Sequence, residues 1–395
     1  MAGDKVLIGW ELGGGLGHTM RAAALAREFA RHGWQAVVCL RDLAGAALAQ
    51  WPEDVSLLQS PLAHKGSGLA NPASYGEILH GCGYHDGNQL SALVTSWSHL
   101  IELSGARLAL ADHAPTLQLA ARVSELPQGR IGTGFFAPPL SARTPCFRTW
   151  EAADADRMAQ TEAQVLLAVN ALLDACGVPP AASLAEALAP DLELIASSPE
   201  LDCHASLRAA GSAVYIGNEA VGAKGALPAW PGRGRKRVAA YLKADYAGLD
   251  AVLDAMRDCA ALVYVAGAQP GMLHARRSES MTLTGTPLDL AALANDCDAF
   301  VCHGGVGAAP HFLQAGKPVL LLPYQAEQRV NAAAIAATGA GLRLDPGAAE
   351  RECREALCRL LDEPGFTQAA GDLAARWAGK GDAMEQAVAR MLGIA

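Results

Sequence analysis

Short apolar runs of strand length alternate with stretches of helical spacing along most of this chain. Lys5 to Trp10 is one such run; glycines follow it, then a helical period from Ala22 to His32, and Gln35 to Leu40 is apolar again. A strand, helix, strand opening predicts a parallel sheet with helices on both faces. Ala106 to Ala111 is a further strand that stops at Asp112, and Arg130 to Phe136 another, cut off by Pro138 and Pro139. From Ala152 to Cys176 apolar positions such as Val165, Val169, Leu172 and Leu173 recur at helical spacing, and Gly177 ends the helix before Pro179 and Pro180.

Between Gly211 and Arg237 the periodicity fades into Gly, Pro and basic residues, which marks a domain boundary. A second series follows: strand Arg237 to Leu242, helix Leu249 to Cys259, strands Ala261 to Ala266 and Met281 to Leu283, then Asp298 to Leu344. That last segment reads as a buried strand (Ala299 to Cys302), a glycine turn (His303 to Gly307), a helix, a strand (Pro318 to Leu322) and a polar loop. The tail, Ala383 to Leu392, places Met384, Val388, Met391 and Leu392 at helical spacing. The expected fold class is therefore α/β, with an N-terminal domain over 1–215, a linker over 216–236, a C-terminal domain over 237–380 and a terminal helix over 381–395.

With 395 residues, 51% of them hydrophobic, the chain can bury two ordinary cores. A formal charge of −9 argues against nucleic acid or an anionic membrane as partner. The basic run Arg233 to Arg237 has no aromatic partners and reads as a solvated linker. No apolar run reaches spanning length, and the ten cysteines include no CxxC pair, so we expect a cytoplasmic protein without stable membrane insertion. His80, Cys82, His85 and Asp86 are metal-ligating types at a non-standard spacing, and no metal is expected there; a mobile loop shaping a pocket is.

A strand that stops at glycines and feeds a helix presents free backbone N–H groups and a positive dipole end, which hold phosphate without metal. Glycines alone would permit no more than a tight turn. The longer string, HGGVG, AGKPVLLLPY, Glu327 and Gln328, Asn331 and GAGLRL, resembles the donor signature of nucleotide-sugar glycosyltransferases of the UDP-glucuronosyltransferase-like and macrolide glycosyltransferase-like family. This resemblance implies two Rossmann-like domains facing across a cleft (GT-B), acceptor site on the first, nucleotide-sugar on the second, and a terminal helix crossing back onto the first domain. It implies no cofactor beyond the nucleotide-diphospho-sugar co-substrate, a small-molecule or lipid acceptor, and a monomer or homodimer.

Transfer needs a base for the acceptor hydroxyl and charge support for the leaving diphosphate. His18, directly after GGGLG, is the base expected, and Asp112, at a strand end on the same sheet rim, its orienting partner. Gly17 and His18 match the family's GHxxP turn, and LALADHAP from Leu108 its aspartate context; singly, either residue would be an ordinary helix cap. His113 is the rival base. The resemblance assigns His303, Gly304, Gly305, Gly307 and Ala308 to the diphosphate, Glu327 and Gln328 to sugar hydroxyls, and Pro287 to the nucleoside. Gly14, Gly15 and Lys243 join the donor side, and Trp97, Phe135 and Phe136 the acceptor pocket.

Departures from the pattern are specific. Ala308 replaces a Ser or Thr, His311 replaces the glutamate that grips ribose, and Arg21 stands where the GHxxP proline belongs. A tryptophan ahead of Pro287 is missing. His311 fits a donor built on deoxyribose, such as a dTDP-sugar rather than a UDP-sugar, or else a weakened site. A degenerate nucleotide-sugar-binding protein and a nucleotide-sugar 2-epimerase are the alternatives.

Overall fold

The computed structural model describes residues 3–64, 66–218, 225–232 and 236–395. Most of the basic run, 233–235, and part of the linker, 219–224, lie outside the described residues. The chain divides into two compact units, Met1–Gly217 with Gly381–Ala395, and Asn218–Lys380.

In the first unit β1 (Lys5–Trp10), β2 (Gln35–Leu40), β3 (Ser56–Gln59), β4 (Leu108–Asp112), β5 (Gln128–Gly132), β6 (Leu192–Ile195) and β7 (Val214–Tyr215) form one sheet. Their order is β3-β2-β1-β4-β5-β6-β7, with every pair parallel. Parallel strands need crossover helices, and α1 (Leu16–Arg31), α2 (Tyr75–Gly81), α3 (Gly87–Ser104), α4 (Pro115–Val123), α5 (Ala155–Ala175) and α6 (Leu184–Ala187) supply them. Because helices cover the sheet, the inner strands are buried along nearly their whole length.

The second unit repeats the plan with β8 (Arg237–Lys243), β9 (Ala260–Ala266), β10 (Met281–Thr284), β11 (Ala299–Cys302), β12 (Val319–Leu321) and β13 (Gly341–Arg343), ordered β10-β9-β8-β11-β12-β13. Its helices are α7 (Leu249–Ala255), α8 (Pro270–Ala275), α9 (Leu290–Asp296), α10 (Ala308–Gln314), α11 (Ala326–Ala337), α12 (Glu350–Asp362) and α13 (Pro364–Trp377). Strand order reverses between β1 and β4 in one unit and between β8 and β11 in the other. In doubly wound sheets ligands bind at such switch points, outside the carboxyl ends of the strands.

The last helix, α14 (Ala383–Met391), belongs to the first unit. Asp382 caps it by accepting from the N–H groups of Met384 and Glu385, and Met384, Ala387, Val388 and Met391 share a core with Val6, Ile8 and Leu110.

Two local readings of the sequence need correction. The polar loop expected after β12 gives way at Ala326 to α11, so Glu327 and Gln328 stand in the first helical turn. A glutamine at the N-cap, Gln325, joined to Gln328 in a capping box, is a start signal the usual cap residues do not advertise. Residues 80–86 are no free loop either. His80 lies in the last turn of α2 with its ring nitrogens against Ser67 (3.0 Å) and Gln164 (2.7 Å), and Asp86 caps α3. Among the described residues no group of three or more His, Cys, Asp or Glu could hold a metal ion, and no helix is long and apolar enough to cross a membrane.

Candidate active site

Trp10 and Asp112 end the two neighbouring strands β1 and β4 and lie opposite each other in register. Glycines 13 to 15 then carry the chain into α1, whose third residue is His18. Nδ1 of His18 lies 2.9 Å from Oδ2 of Asp112, and Nη1 of Arg21 donates to Oδ1 at 2.6 Å. Burial would raise the Asp112 pKa, but the charge of Arg21, followed by the charge and hydrogen bond of His18, outweighs it, so the pKa is lowered. An ionised Asp112 fixes the tautomer: Nδ1 carries the proton and Nε2 the lone pair. Trp10 stacks on the His18 ring at 4.9 Å and 15° and anchors itself through its indole N–H to the Leu12 carbonyl at 2.7 Å.

Gly13 leaves Nε2 room. Its φ is +81°, and a Cβ there would sit 3.2 Å from Nε2 of His18 and 3.3 Å from Nδ1 of His113. Any side chain would both strain the turn and crowd the lone pair. His113 itself is buried, and its pKa is lowered to about 3, first by desolvation and then by the charge of His18. It is therefore a neutral, very weak base at physiological pH. Stacked on Phe136 at 4.3 Å and 7°, it forms a wall beside His18 rather than a rival to it.

Beneath this rim lies Glu11, which the sequence did not single out. Its carboxylate accepts from the Tyr84 hydroxyl (2.9 Å), the Thr116 N–H (3.1 Å), the Leu117 N–H (2.9 Å) and the Thr116 hydroxyl. Two of those donors open α4, where an anion is favoured by the helix dipole. Burial nevertheless pushes the Glu11 pKa up to about 7 against these hydrogen bonds. Glu11 thereby ties β1 to the segment that begins at Asp112, and the His113 carbonyl closes the tie by accepting from the Leu12 N–H at 3.0 Å.

The glycine turn of the second unit corrects one assignment. His303 was expected to face the diphosphate, yet both ring nitrogens are used within the unit: Nδ1 donates to the Leu322 carbonyl at 2.9 Å, and Nε2 accepts from the Lys243 N–H at 3.0 Å. Desolvation lowers its pKa, and Tyr246 and Tyr324 each pack against it at 4.9 Å. His303 is a neutral strut joining the ends of β8, β11 and β12. The amides of the turn remain. Among the described residues no backbone acceptor takes the N–H of Gly305, Val306 or Gly307. Gly304 has φ +82°, a conformation suited to glycine, and its carbonyl accepts from Asn331 at 3.1 Å.

The other expected contacts divide. Ala308 opens α10 directly after the turn. His311, on the same helix, has a hydrogen bond to the Leu290 backbone, and burial lowers its pKa; its Nε2 is enclosed without a partner among the described residues. Gln328 spends its side-chain oxygen on the N–H groups of Tyr324 (3.1 Å) and Gln325 (3.2 Å), and Glu327 stands beside it in the first turn of α11. Pro287 is exposed, its carbonyl accepting from Ala226 at 2.9 Å, and Lys243 ends β8 half-buried. Gly14 and Gly15 are exposed in the turn before α1. Trp97 is not an acceptor-facing ring: it is wholly buried in α3 against Gly9 of β1. Phe135 and Phe136 are likewise buried, Phe135 packed on Phe147 at 4.8 Å and Phe136 against His18 at 6.1 Å.

Known proteins bear on this geometry. Residues 281–392 match the C-terminal domain of the erythromycin biosynthesis protein CIII-like family. Elloramycin glycosyltransferase of Streptomyces olivaceus is 40% identical over 92 residues, 23% of this chain and 22% of that protein, so the match spans about a fifth of that relative's length. Over whole chains the fold is that of the calicheamicin glycosyltransferase CalG4 (TM-score 0.73, 18% identity, 100% of this chain and 99% of the other). It is equally that of the glycosyltransferase VinC in complex with dTDP (TM-score 0.69, 15% identity, 99% of each chain). At such identities the likeness is one of fold, the two-domain GT-B architecture.

Proposed function

We propose that this chain, whose residues 281–392 match the erythromycin biosynthesis protein CIII-like C-terminal domain, is a glycosyltransferase carrying a sugar from a nucleotide diphosphate to an acceptor hydroxyl. The observation that carries this reading is the His18 pair: Nδ1 held by Asp112 at 2.9 Å, with Nε2 bearing the lone pair beside Gly13. Nε2 takes the acceptor proton, the acceptor oxygen bonds to the anomeric carbon, and the bond from that carbon to the diphosphate oxygen breaks, inverting the centre. Asp112 supports the imidazolium as it forms.

On the donor side the turn at Gly304 to Ala308 takes the diphosphate through backbone N–H groups, which stabilise the departing charge without titrating. Lys243 and Glu327 remain the side chains we assign to phosphate and sugar. His303 is no longer among them. We assign thymidine diphosphate as the nucleotide class, because His311 offers no carboxylate to grip a ribose diol and dTDP is the ligand of the similarly folded VinC. The scheme calls on no metal. Calorimetric titration with dTDP and UDP tests the donor half: micromolar binding of dTDP, tighter than UDP, is expected, and binding of neither overturns the transferase reading in favour of a degenerate relative.

A further inference from the structure

Arg21 follows His18 by three residues on α1, so the two side chains leave one face of the helix toward the end of β4. Asp112 receives both, Oδ2 from His18 at 2.9 Å and Oδ1 from Arg21 at 2.6 Å. All three side chains are withdrawn from water, with exposures of 12% for His18, 3% for Arg21 and 1% for Asp112. Screening is therefore weak at this spot, and charge counts for more than it would at the surface.

A lone buried carboxylate beside an imidazole favours the imidazolium. Here the same carboxylate already carries a guanidinium, which does not lose its proton in proteins. The remaining neighbours do not reverse this. His113, from the segment after β4, is neutral; Arg41, after β2, adds positive charge near it, and Arg130, on β5, is paired with the buried carboxylate of Glu193. Trp10 and Phe136 close other sides of His18 with uncharged rings.

We propose that Arg21 is a positioning residue that sets the proton affinity of His18, by sharing Asp112 so that the imidazole stays unprotonated to a lower pH than in a bare His–Asp pair. It also holds the carboxylate so that one oxygen alone faces the ring. The consequence for catalysis rests on His18 being the base; the proton affinity itself does not.

NMR titration of the His18 ring in the full chain, with thermal melts as a folding control, reads the effect directly. Arg21→Gln raises the His18 midpoint by roughly one pH unit, and the acid limb of turnover moves with it. Arg21→Lys, which keeps the charge, leaves the midpoint within a few tenths of a unit of wild type. A folded Arg21→Gln protein with an unmoved midpoint overturns the proposal, as does a rise in Arg21→Lys equal to that in Arg21→Gln. Should Arg21→Gln not fold, Arg21→Met removes the charge in its place: a midpoint raised by about one unit supports the proposal, and an unmoved one overturns it. If the midpoint moves as expected while His18→Ala retains turnover, the tuning stands and the base assignment falls.

Discussion

Two histidines at strand-end turns have opposite employments, and the difference lies in what their second nitrogen touches. His18 gives one nitrogen to Asp112 and keeps the other beside Gly13, whereas His303 spends both on backbone groups of its own unit. His303→Ala is accordingly expected to lower the melting midpoint, with about 1–3 kcal/mol at stake for each of the two backbone groups left unpaired. A variant that melts like wild type but loses affinity for dTDP would instead restore His303 to the phosphate. The sequence showed a histidine beside glycines in both cases, after GGGLG for His18 and before GGVG for His303. It could not show that residues sixty and nineteen positions away, Lys243 and Leu322, would fold onto that ring. The His18 and Asp112 pairing was legible because each ends a strand or opens a helix on one rim. Arg21 was legible only as a departure from a motif, although its spacing of three from His18 already put it on the same face.

At the level of elements, most inner strands declared themselves through apolar runs, and β1, β2 and β11 lie where the pattern places them, while the short inner strand β6 was not read. The edge strands of the first unit did not. Ser56–Gln59 is largely exposed, and Val214–Tyr215 is two residues long, so neither carries the hydrophobic period that burial writes into a sequence. Helix α14 is the converse case: apolar spacing over Ala383–Met391 was plain, while its membership of the first unit depends on partners nearly four hundred residues earlier in the chain. Its stripe is core, and Met391 is fully buried. Met391→Ala is expected to destabilise the first unit by about 2–5 kcal/mol, the range for deleting a buried long side chain. Chemical denaturation checks this, and a loss below ~0.5 kcal/mol would mean the helix contributes little to that core.

For the whole molecule, a net charge of −9 has to be squared with the diphosphate donor we propose. Backbone N–H groups at the Gly304 turn contribute fixed dipoles without altering the formal charge, which on the proposed reading reconciles an acidic chain with that donor. The sites we propose in the two units stand at the same topological place, the carboxyl end of the strands where their order reverses, β1 with β4 and β8 with β11. The central claim is that the first of these places holds a base. Release of nucleotide diphosphate from a panel of dTDP- and UDP-sugars, with water as acceptor, compares wild type with His18→Ala without knowledge of the natural acceptor. The expected result is a loss of about 10²–10⁴-fold in the variant at unchanged dTDP affinity. A folded His18→Ala protein that turns over within a few-fold of wild type contradicts it.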